Sequence, residues 1–342
     1  MRSKDHPRKG LTGMNIVVLG AGAIGSVVGG LLYRAGHRVA LIGRQSHMNA
    51  IAGRGLVIDG IWGEYRIKSL ACYTSVAAMP EQERATCELA LVTVKSYDTD
   101  GLMCGCVRLF PESLNFVSLQ NGLGNIECIA GYAGSSRVIG GRVIFGVEFV
   151  NSGHVRITVE ADKTALGVPA SGTADKAQAA RIAQMFSGAG ISCIVTDGIE
   201  QLLWGKMLYN CALNALATIL CTHYGSLIET GLQDVMLCIV EEIFEVASFC
   251  GIELPYVGPQ EYAHVLFEEL IPRTYNHPPS MLQDIKRGKR TEINALNGYI
   301  VKLAQEHGCS APCNSVVVAL VQAMEKMNRK EGQGDDERDQ SS

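Results

Sequence analysis

The chain is 342 residues long, 47% hydrophobic and 19% charged, with a formal net charge of −4. A single core stops growing near roughly 250–300 residues, so two domains with packed interiors are expected. Acidic and basic residues are interspersed, which leaves no broad basic surface for nucleic acid. No apolar run approaches the roughly 20 residues needed to cross a bilayer, so a membrane partner is not expected either.

Residues 1–13 carry Arg2, Lys4, Arg8 and Lys9 but no apolar stretch of the kind a signal peptide needs. They read as an unstructured lead-in, and a cytoplasmic protein with reduced thiols is the simpler expectation. Of the twelve cysteines, Cys211, Cys221, Cys238 and Cys250 fall in apolar helix-like stretches, where a thiol fills space as a small hydrophobe. Cys104-Gly-Cys106 and Cys309-x-x-x-Cys313 come without a second ligand pair, so no metal site is expected.

From 14 to 197 short β-branched runs alternate with helical stretches and glycine turns, the pattern of a parallel α/β sheet. Strands are predicted at Ile16–Leu19, Val39–Ile42, Leu89–Val94 and Phe116–Leu119. Val138–Val150 and His154–Val159 flank the turn Asn151-Ser-Gly153, which suits a hairpin. A helix around Lys176–Phe186 and a strand at Ser192–Val195 close this domain. From 198 to 328 the period becomes helical, with segments at Ile199–Leu220, Gly231–Cys250, Pro259–Glu269, Ser280–His307 and Asn314–Met327. The charged tail 329–342 is poor in apolar residues and reads as unstructured. The expected fold class is therefore α/β, with an N-terminal Rossmann-type dinucleotide-binding domain followed by an all-helical C-terminal domain.

The Rossmann expectation rests on Gly20-Ala21-Gly22-Ala23-Ile24-Gly25, which follows an apolar strand and opens the apolar helix Ser26–Arg34. In that setting the first glycine permits a tight turn, the second lets backbone approach a pyrophosphate, and the third lets helix and strand close up. The second strand runs into Arg44, where an NAD site would place an acidic residue on the ribose 2′-hydroxyl. An arginine there suits a 2′-phosphate instead, so NADPH is the expected cofactor. Lys95, after the strand Leu89–Val94, either adds a second positive charge at that edge or is an ordinary solvated lysine.

Asn121 opens Asn121-Gly122-Leu-Gly124 just past the strand Phe116–Leu119, beside the expected nicotinamide pocket, although Asn-Gly also starts ordinary turns. Lys206, Asn210 and Asn214 recur every four residues and form one polar stripe on an apolar helix, facing either solvent or a ligand. Two asparagines offer donors and acceptors for an uncharged hydroxyl or carbonyl, and a lysine withdrawn from water gives up its proton more readily. Ser280, Asp284, Gly288 and Glu292 share the same spacing in a second predicted stripe. There, Ser280 is either a ligand group or an N-cap, and Glu292 either faces a ligand or pairs with Lys289 at the surface.

These residues together resemble the ketopantoate reductase family (2-dehydropantoate 2-reductase) from Met14 to about Met327. The shared marks are the glycine fingerprint with the strand ending in Arg44, Val94-Lys95, Gln120-Asn121-Gly122, Trp204-x-Lys206 with Asn210 and Asn214, Ser280-Met-Leu-Gln-Asp-Ile, and Thr291-Glu292-Ile. The resemblance implies hydride transfer from NADPH to the C2 ketone of 2-dehydropantoate, giving D-pantoate for pantothenate and coenzyme A synthesis. It implies that Lys206 is the general acid, that Asn121 positions the ketone, and that Asn210 and Asn214 bind the substrate hydroxyl. It further implies that Ser280 binds the carboxylate, and that Glu292 orients Lys206, the substrate and cofactor. Two positions depart from the pattern. Tyr224 stands where some members carry another substrate-binding asparagine, and His277 where an asparagine precedes the serine motif. A reductase for another 2-keto acid, of the D-2-hydroxyacid dehydrogenase kind, and a non-catalytic NADPH-binding regulator are the alternatives. A homodimer is left open.

Overall fold

The computed structural model describes residues 13–339, without the side chains of 329–339. The unstructured tails expected at 1–13 and 329–342 fall outside the described residues, apart from Gly13 and the helical backbone up to Asp339. The chain divides into two compact units. One runs to Asn121 and resumes over Asn125–Ile199; the other joins Gly122–Gly124 to the chain from Glu200 onward.

Among the described residues of the first unit, twelve strands form two sheets. The larger contains β1 (Asn15–Leu19), β2 (Arg38–Ile42), β5 (Ala71–Tyr73), β6 (Leu89–Val92), β7 (Asn115–Ser118), β8 (Val138–Arg142), β11 (Thr164–Gly167) and β12 (Cys193–Val195). Their order is β12-β11-β8-β7-β6-β1-β2-β5, parallel throughout except between β8 and β11. Six neighbours, β5-β2-β1-β6-β7-β8, reproduce the dinucleotide-fold order, with the direction of winding reversing between β1 and β6. Ligands of such sheets bind past the carboxyl ends of the strands at that reversal, where β1 runs into Gly20 and β6 runs toward Lys95.

The central strands are apolar on both faces because helices cover both. Ile16 and Val18 of β1 enter one core with α1 (Ala23–Arg34) and α6 (Lys176–Gly188), whereas Val17 and Leu19 enter the other with α4 (Thr99–Cys106) and α5 (Asn125–Ala133). The smaller sheet, β4-β3-β10-β9, comprises β3 (Leu56–Gly60), β4 (Tyr65–Ile67), β9 (Phe145–Asn151) and β10 (His154–Glu160). It lies over the outer face of α1. A Cβ on Gly29 would come within 2.7 Å of Leu41 in the large sheet, and one on Gly30 within 2.8 Å of Ile58 in the small one. The adjacent glycines let α1 fit between the two. The helices α2 (Gln45–Arg54) and α3 (Glu81–Ala85) complete the unit.

Several expectations need correction here. The run Val138–Val150 is two strands in different sheets, split after Arg142, because β8 belongs to the large sheet and β9 forms the hairpin with β10. The strand expected over Leu89–Val94 ends at Val92, and β3, β4, β5, β11 and α2 were not foreseen.

The second unit is helical: α7 (Ile199–Tyr209), α8 (Ala215–Ile219), α9 (Ser226–Glu229), α10 (Gln233–Phe249), α11 (Pro259–Val265), α12 (Ile271–Arg273), α13 (Ser280–Lys286), α14 (Asn297–His307) and α15 (Pro312–Asp339). Wide π turns at Asn210–Asn214 and Leu266–Leu270 join α7 to α8 and α11 to α12. The single helix expected over Ser280–His307 does not form. It stops at Lys286, where Gly288 adopts φ +62° and the amides of Gly288 and Lys289 return to the carbonyls of Ile285 and Asp284. This is a Schellman cap, for which glycine is the favoured residue. Gly288 and Glu292 therefore do not continue a helical stripe from Ser280 and Asp284. The expectation of uniformly free thiols is corrected too, since a disulfide joins Cys238 of α10 to Cys313 of α15.

Candidate active site

In the first unit the glycine turn meets three different spatial demands. Gly20 has φ +106°, and a Cβ there would lie 2.4 Å from the Val94 nitrogen. The Gly20 and Ala21 amides donate to the Ile42 carbonyl at 3.1 and 2.7 Å, which pins the turn to the end of β2. A Cβ on Gly25 would meet Thr93 Oγ1 at 2.5 Å and the Gly20 carbonyl at 2.7 Å. At Gly22 only the Gly20 carbonyl, 3.9 Å away, comes near, so the space beside this residue is open. The turn leads through Ala23 and Ile24 into α1, whose start has no side-chain cap and no acidic residue in its first turn. The first amides of a helix have no partner within the helix, and they carry the positive end of its dipole. Open backbone at Gly22 followed by these amides fits a pyrophosphate.

Arg44 is exposed at the N-cap of α2, one residue beyond Gly43 at the end of β2. Lys95 is half-buried and precedes a turn at Ser96–Asp98. That turn is tied to the loop after β7. Ser96 Oγ donates to the Asn121 carbonyl at 2.8 Å, and Asn125 Nδ2 donates to the same oxygen at 2.9 Å. Gln120 Nε2 donates to the Val94 carbonyl at 3.0 Å and to Thr99 Oγ1 at 2.7 Å, while its Oε1 accepts from Ser118 Oγ. The network brings the backbone of Lys95 and Asn121 to one stretch of the sheet's carboxyl edge. Thr93, Ser96, Thr99 and Asn125 were missed from sequence, and the available signal was polar residues directly following apolar strands.

In the second unit Lys206 is half-buried on α7, and Asn210 and Asn214, both buried, bound the π turn. In a regular helix each four-residue step overshoots a full turn by about 40°, so the row from Lys206 to Asn214 would drift by about 80°. A wide turn rotates less per residue and so takes back part of that drift between Asn210 and Asn214. Asn214 is fixed at both ends of its amide: Nδ2 donates to Ser280 Oγ at 3.1 Å, and Oδ1 accepts from the Met281 amide at 3.2 Å. Ser280 is thereby joined to the row. Pro279, not Ser280, is the N-cap of α13.

Glu292 is 8% exposed, on a bend between α13 and a short turn at Ile293–Ala295. Its neighbour Thr291 gives both its amide and its hydroxyl to Glu325 of α15 at 2.6 Å. Gly122, at φ +82°, approaches the same region, since a Cβ there would lie 2.3 Å from the Ala295 carbonyl, which accepts the Leu123 amide. Tyr224 and His277 stand next to each other with rings 5.5 Å apart, and Tyr209 meets Tyr224 edge-on at 5.6 Å. Burial pushes the Tyr209 phenol up to about 12, raises that of Tyr224 well above the usual tyrosine range, and lowers the His277 imidazole below its ordinary value. This cluster is uncharged at neutral pH.

Residues 16–171 match the family model described as ketopantoate reductase PanE/ApbA, and residues 198–325 match its C-terminal counterpart. A 2-dehydropantoate 2-reductase of Aquifex aeolicus is 37% identical over 93% of this chain and 99% of its own length. One of Pyrococcus horikoshii is 35% identical over 92% and 98%. A crystal structure of a PanE/ApbA family ketopantoate reductase from Ralstonia eutropha superposes with a TM-score of 0.80 at 30% identity, covering 92% of this chain and all of that one. A D-mandelate dehydrogenase solved with NADH and anilino(oxo)acetate also superposes at 0.80, with 25% identity over 92% of this chain and 99% of that one. With both units matched by family models and relatives aligned over nearly their whole lengths, the chain belongs to the ketopantoate reductase family.

Proposed function

We propose that this oxidoreductase uses NADPH to reduce the C2 ketone of 2-dehydropantoate to D-pantoate, a cytoplasmic step toward pantothenate and coenzyme A. The observation that carries the reading is the placement of Lys206, Asn210 and Asn214 at four-residue steps along one helix and its wide turn, with Asn214 hydrogen-bonded to Ser280. A cation, two amides and a hydroxyl in series match a ketone, a hydroxyl and a carboxylate on one small acid.

When bound, NADPH supplies a hydride to the ketone carbon. Backbone at Gly20–Gly25 and the start of α1 would hold its pyrophosphate, and Arg44 and Lys95 would hold the 2′-phosphate. Asn121 would direct the ketone with its amide. Lys206 would donate a proton to the ketone oxygen as that atom becomes an alkoxide, leaving a neutral amine that regains its proton from water. Before the transfer, its charge would stabilise the oxygen. Asn210 and Asn214 would bind the substrate hydroxyl, Ser280 the carboxylate, and Glu292 would orient Lys206.

A second reading, an aromatic 2-keto acid as substrate, is favoured by the uncharged aromatic cluster of Tyr224, His277 and Tyr209. The two are separated by following NADPH oxidation with 2-dehydropantoate and with phenylglyoxylate. Higher kcat/KM for 2-dehydropantoate is expected; the reverse order would replace the first reading with the second, and oxidation with neither would remove both.

A further inference from the structure

Behind the polar row lies a chain of buried amides. Asn297, at the start of α14, and Asn314, near the start of α15, are both 0% exposed. Asn297 Nδ2 donates to the Cys211 carbonyl, inside the π turn, at 3.2 Å and to Asn314 Oδ1 at 2.9 Å. Asn314 Nδ2 donates to Glu242 Oε2 at 2.7 Å. Glu242, buried on α10, also accepts the Cys313 and Asn314 amides at 2.6 and 2.9 Å, and so caps α15 from a neighbouring helix. The disulfide between Cys238 and Cys313 fastens the same two helices one turn away.

Asn297 Oδ1 has no hydrogen-bond partner. A buried acceptor left unpaired is costly, and a leucine of similar volume would fill the place without that cost. Packing therefore does not account for an amide here. What the amide does that leucine cannot is take up the Cys211 carbonyl at the point where the helix departs from its regular bonding. Wide turns disturb the i→i+4 ladder and need outside partners to persist. Within the same helix, Thr218 Oγ1 donates back to the Asn214 carbonyl at 2.7 Å.

The geometry points to Asn297 as a positioning residue: held by Asn314 and Glu242, it stabilises the π turn and so sets the line of Lys206, Asn210 and Asn214. It touches neither substrate nor cofactor, and acts through the backbone of Cys211. The inference rests on the function proposed above.

Asn297→Leu is the test, with steady-state kinetics on 2-dehydropantoate corrected for the fraction of folded protein. The expected result is kcat lowered by about tenfold or more, the order reached by misplacing a reacting group by a fraction of an ångström, with Kd for NADPH unchanged. Asn314→Leu should lower kcat similarly, and the double variant should fall no further than either single one. A purely structural role predicts lost folded protein with wild-type kcat per folded molecule, and that result would overturn the inference. If Asn297→Leu does not fold, Asn314→Ala carries the same test, because it frees the Asn297 amide without removing it. Hydrogen–deuterium exchange over residues 207–218 needs no substrate: faster exchange in the variant supports the inference and equal exchange overturns it. Absence of wild-type turnover overturns the functional reading instead and leaves the exchange result standing.

Discussion

With NADPH as the proposed cofactor, Arg44 and Gly22 would answer one requirement, that a 2′-phosphate and a pyrophosphate be held by a chain of net charge −4. In the proposed reading Gly22 would do so through the open space beside it, and Arg44 through charge at the exposed N-cap of α2. A guanidinium bonded to a phosphate contributes about 1.5–3 kcal/mol, which corresponds to about tenfold to hundredfold in affinity. Arg44→Ala should raise KM for NADPH by that factor and leave KM for NADH nearly unchanged. Equal effects on both cofactors would show that Arg44 does not read the 2′-phosphate. The turn and the strand end that place Gly22 and Arg44 were legible in sequence, because their spacing to an apolar strand marks both. The carbonyls that Thr93 and Ser96 reach were not legible, because sheet pairing and not sequence brings them near, whereas Asn125 reaches the Asn121 carbonyl only four residues back.

At the scale of elements, the turn from β1 to α1 is braced by a histidine from α2. His47 is 3% exposed; its Nδ1 accepts the Gly153 amide at 2.9 Å, so its Nε2 carries the proton and donates to Ser26 Oγ at 2.9 Å. A second proton would face the Gly153 N–H, and burial already pushes the imidazole down to about 4. The unfolded chain takes that proton near 6.5 and the folded chain only near 4. Stability from this group is therefore complete above pH 6.5 and declines as pH falls toward 4, by about 3 kcal/mol in all. Urea unfolding at pH 7.5 and 4.5 should show the loss, and His47→Gln should flatten it relative to the share left by His37 and His277, whose imidazoles are lowered in the same direction. An unchanged slope in the variant would assign the loss elsewhere.

The helices teach a complementary lesson. Four-residue spacing put Lys206, Asn210 and Asn214 in one expected stripe, yet the regular helix it implies is interrupted by the π turn, which is invisible to periodicity. The same spacing misled for Ser280 to Glu292, where the glycine at 288 marks a left-handed cap and not a place within a helix. Glu242 could have been found, since it sits three residues after Ile239 and four before Val246 on the buried face of α10.

For the whole molecule, composition and period placed a sheet-based half before a helical half. The chain's excursion through Gly122–Gly124 into the helical unit was not foreseen, because it depends on contacts with Ala295 and Tyr299 far along the sequence. Nor was the disulfide, which spans 75 residues and in loop-entropy terms stabilises by about 4 kcal/mol. The proposed function turns on its proton donor, Lys206. Turnover of NADPH with 2-dehydropantoate, measured for wild type and Lys206→Ala beside NADPH affinity from fluorescence titration, addresses it most directly. The account predicts a fall in kcat of about a hundredfold or more with cofactor affinity intact; wild-type kcat in the variant would contradict it.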